Sequence, residues 1–239
     1  MTSPEPTPTC TTATLLGSDE PLCAAYDVAL LDLDGVCFAG EARVPYAADN
    51  VNAARKTGMH LSFVTNNASR APQTVVDKLA ANDIVAAPSE VFSAAMDAAA
   101  MLAEHVDPGS MVLVVGGEGV RQALLDEGFQ VTSSAQDEPV AVVQGWDPAV
   151  DWALLSEGVY AINAGALHVA TNLDATLPTE RGFALGNGSL VAAIVNASGQ
   201  EPLAGGKPFP GIYTRALKRA GGTKPLAIGD RLNTDHVGA

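Results

Sequence analysis

The chain has 239 residues, of which 47 % are hydrophobic and 17 % charged, enough to bury one large core or two small ones and too apolar for a disordered chain. Its formal net charge of -14 argues against a nucleic-acid binder, which needs clustered Lys and Arg, and reads most simply as a solubilising surface. No apolar run approaches the roughly 20 residues that a membrane span needs.

Taken in chain order, residues 1–21 are rich in Thr, Pro and Ser and read as a flexible tail. An apolar run ending in acid predicts a buried strand over 26–32. A helix is predicted over 45–58, opened by Pro45 and stopped by Gly58, then a strand over 60–65, a helix over 72–82 and a short strand over 89–93. The alternation repeats with strands over 111–115, 140–144 and 167–171 and helices over 118–127 and 149–163. Residues 172–188, rich in Asn, Pro and Gly, read as a loop. Helices over 189–196 and 211–220 and a strand over 225–228 complete the pattern. Strands alternating with helices throughout imply an α/β fold with mainly parallel sheets.

In such sheets ligands bind beyond the carboxyl ends of the strands. Three predicted strands end there in oxygen-bearing side chains: Asp32 and Asp34, then Thr65, Asn66 and Asn67, and last Asp230. In Asp32-Leu33-Asp34-Gly35 two carboxylates crowd one strand end, which a hard cation such as Mg²⁺ would relieve; a capping pair in a turn is the bland alternative. Gly35 permits a sharp exit and is expected to leave its N–H free for an anion. Thr65, Asn66 and Asn67 could bond phosphate oxygens or simply form a turn. Lys207, between Gly206 and Pro208, offers a point charge but lacks the Walker spacing, and alone would read as a surface lysine. Asp230 could complete a metal site. Asp235 could orient Lys207 or a metal-bound water, or cap the next helix. The glycines of Val114-Val115-Gly116-Gly117-Glu118-Gly119 do not match a dinucleotide fingerprint and read as a turn.

Together these four ordered motifs, Asp32-x-Asp34-Gly35, Thr65-Asn66-Asn67, Gly206-Lys207-Pro208 and Gly229-Asp230 with Asp235, resemble those of the haloacid dehalogenase-like (HAD) superfamily. Thr171-Asn172-x-Asp174, Pro178, Gly182 and Gly186-Asn187-Gly188 are similar to its NagD-like branch of nitrophenyl, phosphoglycolate and glycerol-3-phosphate phosphatases. The resemblance implies a Rossmann-like core over 22–93 and 204–239 with an inserted α/β cap over 94–203. It implies a phosphatase that forms an aspartyl-phosphate on Asp32, with Asp34 as acid and base. Thr65 and Asn66 would hold the phosphoryl oxygens, and Lys207 would neutralise charge. Mg²⁺ would sit on the Asp32 side chain, the Asp34 backbone carbonyl and Asp230. Glycerol 3-phosphate and 2-phosphoglycolate are the favoured substrates, and caps of this kind are compatible with a homodimer.

Two features depart from that pattern. The chain stops four residues after Asp235, where the family continues, so the C-terminal end is expected to be incomplete, and His236 replaces a usually apolar residue. Cys10, Cys23 and Cys37 form no CxxC pair, and no basic-then-apolar leader is seen, so the cytoplasm is the expected compartment. Cys37, close to Asp32, reads as a packing residue rather than a redox switch. An inactive phosphometabolite-binding protein and a phosphotransferase or phosphomutase are the rival readings.

Overall fold

The computed structural model describes residues 17–239; most of the expected tail therefore lies outside the described residues. The chain opens with a short helix α1 (Leu22–Ala25), strand β1 (Val28–Leu31) and a small hairpin of β2 (Phe38–Ala39) and β3 (Ala42–Arg43). Helix α2 (Ala47–Lys56), strand β4 (His60–Thr65), helix α3 (Pro72–Ala81) and strand β5 (Val91–Ser93) follow. Next come helix α4 (Ala94–Leu102), strand β6 (Met111–Val115), helix α5 (Glu118–Asp126), strand β7 (Gln130–Thr132), strand β8 (Ala141–Gln144), helix α6 (Trp152–Asn163) and strand β9 (Leu167–Ala170). A hairpin of β10 (Thr176–Thr179) and β11 (Gly182–Leu185) precedes helix α7 (Asn187–Ser198) and strand β12 (Leu203–Ala204). Helix α8 (Pro210–Ala220), strand β13 (Pro225–Ile228) and a turn of π-helix (Leu232–His236) end the chain.

Two parallel sheets carry the fold, in the strand orders β13-β1-β4-β5 and β12-β9-β8-β6-β7. All four residues of β1 are buried, as expected of a continuous apolar run covered on both faces. On one face Ala29, Leu31, Leu61 and Phe63 pack against Val51 of α2 and Val75 and Leu79 of α3. On the other, Val28, Leu30, Val64 and Phe92 meet Ile212, Tyr213 and Ala216 of α8. Those three α8 residues fall on one helical stripe, opened by Pro210 and closed by Gly221 at φ 78°. The second sheet is likewise covered by α4 and α5 on one face and by α6 and α7 on the other.

Most predicted elements are present, with ends shifted by a few residues. The segment 172–188 is not a simple loop but holds the hairpin β10–β11. Its residues are nearly all exposed, so no inside–outside alternation marks it in the sequence. Helix α4 and the short strands β7 and β12 carry no strong periodic signal and were not anticipated.

Leu79 is completely buried between α3 and the first sheet. Leu79→Ala should destabilise the protein by about 2–5 kcal/mol through lost transfer energy and a residual cavity. In urea unfolding the midpoint should fall with the slope unchanged.

Candidate active site

In the first sheet the chain moves from β1 to β4 and β5, then returns to β1's other edge as β13. The crevice at the carboxyl end of β1 is therefore the topological switch point, the place where side chains and ligands can enter between diverging connections. Asp32 stands there, its N–H bonded to Ile228 O at 2.8 Å. Asp230 follows the end of β13, and Thr65 ends β4.

Lys207 fills the centre of this crevice and is 3 % exposed. Its Nζ donates to Asp32 Oδ1 at 2.5 Å and to Asp235 Oδ1 at 2.7 Å. Asp235 is itself fixed, since Oδ1 accepts from Tyr213 Oη at 3.2 Å and Oδ2 from Arg231 N–H at 3.2 Å. The orienting role expected of Asp235 thus matches a direct contact with Lys207. Tyr213 was missed in the sequence. The only signal was a tyrosine on the buried stripe of α8, where a phenol needs a polar partner.

Asp32, Asp230 and Asp235 each place a carboxylate oxygen within 4.8 Å of the others. An all-oxygen, all-anionic donor set with one buried lysine fits a hard divalent cation such as Mg²⁺. Asp34 does not share this carboxylate cluster, so any part it has in holding a cation falls to its backbone carbonyl. Burial pushes Asp32 up to about 6, against the opposing pull of Lys207. Burial also raises Asp34, countered by the charges of Lys78 and Arg70.

Gly35 corrects one expectation. Its N–H is not free for an anion but donates to Phe38 O at 2.7 Å, closing the turn after Asp34. The glycine is required for another reason: its φ is +91°, and a Cβ would lie 2.1 Å from Asp230 Oδ2. Its role is to admit the Asp230 carboxylate.

Asn66 also differs from expectation at its side chain. Asn66 Oδ1 accepts from Lys207 N–H at 2.7 Å, and Nδ2 donates to Lys207 O at 3.0 Å and to Asp174 Oδ2 at 3.0 Å. The amide is spent on clamping Lys207 and reaching Asp174, so only the Asn66 backbone N–H stays uncommitted among the described residues. Thr65 Oγ1 accepts from Asn67 N–H at 3.1 Å, and Asn67 Oδ1 accepts from Ser69 N–H and Oγ. Asn172 Nδ2 donates to Asn66 O at 2.9 Å, so the second sheet's loop grips Asn66 from two sides.

Cys37 is buried, its Sγ 3.4 Å from Asp32 O, and burial beside Asp32 and Asp34 pushes its thiol up to about 12. It is a packing group, not a reactive thiolate. The glycine run is explained by packing too: a Cβ on Gly119 would lie 2.4 Å from Ala68 O, because α5 begins against the loop after β4.

The site opens into a cavity of about 940 Å³ whose walls include Trp146, Asn172 and residues 176–180 of the hairpin. Lys78, Arg70, Lys207 and Arg231 all line it. Six carboxylates line it as well, so these four of the chain's 13 Lys and Arg residues offset part of a negatively charged wall, and a bound cation would still be needed to make it attractive to an anion.

A family model described as haloacid dehalogenase-like hydrolase matches residues 29–130. D-glycerol 3-phosphate phosphatase of Mycobacterium tuberculosis is 41 % identical over 214 residues, covering 90 % of this chain and 60 % of that protein. The chain therefore spans less than two thirds of that relative's length. The 5'-nucleotidase YutF of Bacillus subtilis is 36 % identical over 212 residues, covering 88 % of this chain and 81 % of the relative. Among solved structures, glycerol phosphate phosphatase Rv1692 from Mycobacterium tuberculosis in complex with magnesium superposes with a TM-score of 0.85 at 40 % identity, over 90 % of this chain and 65 % of that one. Likeness of this extent in both sequence and fold means that the chain belongs to the haloacid dehalogenase-like hydrolases, in their NagD-like branch.

Proposed function

We propose that the protein is a Mg²⁺-dependent phosphatase acting on small phosphate monoesters through an aspartyl-phosphate on Asp32. The observation that carries this reading is the buried Lys207 ammonium held 2.5 Å from Asp32 Oδ1, at the switch point and beside Asp230. Lys207 keeps Asp32 ionised enough to attack and offsets charge on the incoming phosphoryl group.

In the first half-reaction a carboxylate oxygen of Asp32 bonds to phosphorus while the ester P–O bond breaks. The departing oxygen takes a proton from Asp34, whose raised pKa suits an acid. In the second half, Asp34 takes a proton from water, the water oxygen bonds to phosphorus, and the bond to Asp32 breaks, releasing phosphate. Thr65 Oγ and the Asn66 N–H face the phosphoryl oxygens, while the Asn66 side chain serves Lys207. Asp32, Asp230 and the Asp34 carbonyl would hold Mg²⁺, which when bound supplies positive charge to the phosphoryl oxygens. Phosphate-monoester hydrolysis is slow enough that enzymes accelerate it up to about 10²¹-fold, so a nucleophile, an acid and local positive charge are all needed.

Residues 94–203 would act as a cap over a core of 22–93 and 204–239. The hairpin's place in the cavity wall and the Asn66–Asp174 bond support that division. Glycerol 3-phosphate is the leading substrate because the relative at 41 % identity is named for it, with 2-phosphoglycolate beside it. Among the described residues no helix is long and apolar enough to cross a membrane, and a cytoplasmic site of action fits small phosphorylated metabolites.

Phosphate release from 4-nitrophenyl phosphate, with Mg²⁺ or EDTA, tests the reading. Activity should require Mg²⁺, and Asp32→Asn should lower kcat by at least about 10³-fold. Release that survives EDTA or the Asp32 change, or none from folded wild type, would sink it. A panel of glycerol 3-phosphate, 2-phosphoglycolate and nucleoside monophosphates then ranks substrates.

The raised Asp32 pKa makes a second expectation. Proton and cation compete for one carboxylate, so Mg²⁺ affinity should be nearly constant above about pH 7 and fall as the pH drops through about 6, approaching tenfold per unit below it. Calorimetric titration with Mg²⁺ between about pH 5 and 8 measures this. An affinity that does not change across that range would refute it.

A further inference from the structure

The chain leaves the first sheet for the second through α4 and returns through Gly205, Gly206 and Lys207. One carboxylate touches both passages. Asp97, in α4, is 1 % exposed. Its Oδ2 accepts from Gly206 N–H at 2.8 Å, and its Oδ1 accepts from Arg215 Nη1 at 2.8 Å. Arg215 reaches over from α8, and its Nη2 bonds Glu104 Oε1 at 2.7 Å. A Cβ on Gly205 would lie 2.8 Å from Asp97 Oδ2, so the return strand presses directly on this carboxylate.

A buried carboxylate is unfavourable unless it is paired and hydrogen-bonded. The other buried residues of α4 are Ala94, Ala95, Ala98, Ala99 and Leu102, so an apolar side chain at position 97 would satisfy the packing. What it could not do is hold the N–H of Gly206, the residue before Lys207. Asn66 already brackets the N–H and C=O of Lys207 itself. With Asp97 added, three backbone groups in succession are fixed, and the side chain leaves a rigid base toward Asp32 and Asp235.

We propose that Asp97, held by Arg215, is a positioning residue for Lys207, acting through the Gly206 N–H to keep the lysine ammonium on the nucleophilic carboxylate. The inference rests on the phosphatase reading for its kinetic consequence, but the contact itself is readable without turnover.

The test measures kcat and KM with 4-nitrophenyl phosphate and Mg²⁺, together with amide exchange at Gly206 and the ¹⁵N resonance of the Lys207 ammonium. Asp97→Ala should lower kcat about 10- to 100-fold with KM changed by less than about threefold. It should also speed Gly206 exchange at least about tenfold and move the Lys207 resonance. Asp97→Asn can offer its oxygen to Gly206 only by turning its NH₂ toward Arg215, donor against donor. Its kcat should fall as well, and adding Arg215→Gln, whose Oε1 accepts that NH₂, should bring kcat back to within about threefold of Arg215→Gln alone. Loss of packing would not produce that recovery, and this pair carries the test if Asp97→Ala does not fold. Unchanged kcat and Gly206 exchange in folded Asp97→Ala, or equal kcat in Asp97→Asn with and without Arg215→Gln, would overturn the proposal. If wild type releases no phosphate the phosphatase reading fails instead, and Gly206 exchange and the Lys207 resonance still decide whether Asp97 positions the lysine.

Discussion

The buried ammonium of Lys207 is the constraint around which the site is arranged. A lysine that is 3 % exposed has lost most of its hydration, and it is tolerable only where anionic oxygens replace that water. Asp32 and Asp235 supply them at 2.5 and 2.7 Å. Asp32 directly follows β1, and Asp235 is brought to it by the π-helical turn after β13, the strand that pairs with β1. The lysine is delivered by a segment returning from the second sheet, and the Asn66 amide at the end of β4 clamps its backbone. Three neighbouring strands and the inter-sheet connection meet at one charge.

The same clamp ties the second sheet to the chemistry. Asn66 reaches Lys207 with both ends of its amide and Asp174 with its Nδ2, while Asn172 holds its carbonyl. Asn187 Nδ2 in turn donates to Asn172 O at 2.8 Å, so the start of α7 supports the loop that grips Asn66. The network of amides and carboxylates is directional, unlike apolar packing, and it specifies one placement of the 172–174 loop over the crevice. A second sheet held this way can shape the cavity without contributing a reacting group.

How much of this was legible in the sequence follows from what each residue does locally. Asp32, Thr65 and Asp230 could be found because strand ends in a parallel sheet are where chemistry belongs, and oxygen-bearing side chains there are conspicuous; Lys207, which alone reads as a surface lysine, stood out only through the resemblance of its motif. Asn66 was found, but its work was misjudged. An amide can donate and accept, and only the fold shows that both capacities are spent on Lys207 and Asp174. Gly35 was also found for the wrong reason, since nothing in the sequence says that the Asp230 carboxylate will arrive where a Cβ would be. Asp97 was invisible, being one acid in an alanine-rich helix with its partners more than a hundred residues away. The β10–β11 hairpin escaped because strands exposed on both faces carry no alternation.

Charge balance explains why such a site calls for a metal. Asp32, Asp230 and Asp235 cluster around one buried cation, with Asp34 beside them in the cavity wall, and a phosphate ester would add further negative charge. The rise of Asp32 to about 6 is the signature of that imbalance: burial outweighs Lys207, and Asp235 adds to the rise. Lys78, Arg70 and Arg231 lie along the cavity wall, and the first two pull the Asp34 pKa down without overcoming its burial, so the carboxylates at the centre stay under-compensated. A divalent cation held by Asp32 and Asp230 would remove the deficit where it arises, and the Gly35 turn makes room for the Asp230 carboxylate. Lys207 would still have to hold Asp32 in line and face the phosphoryl group, and its backbone is pinned for that by Asn66 and, as proposed above, by Asp97.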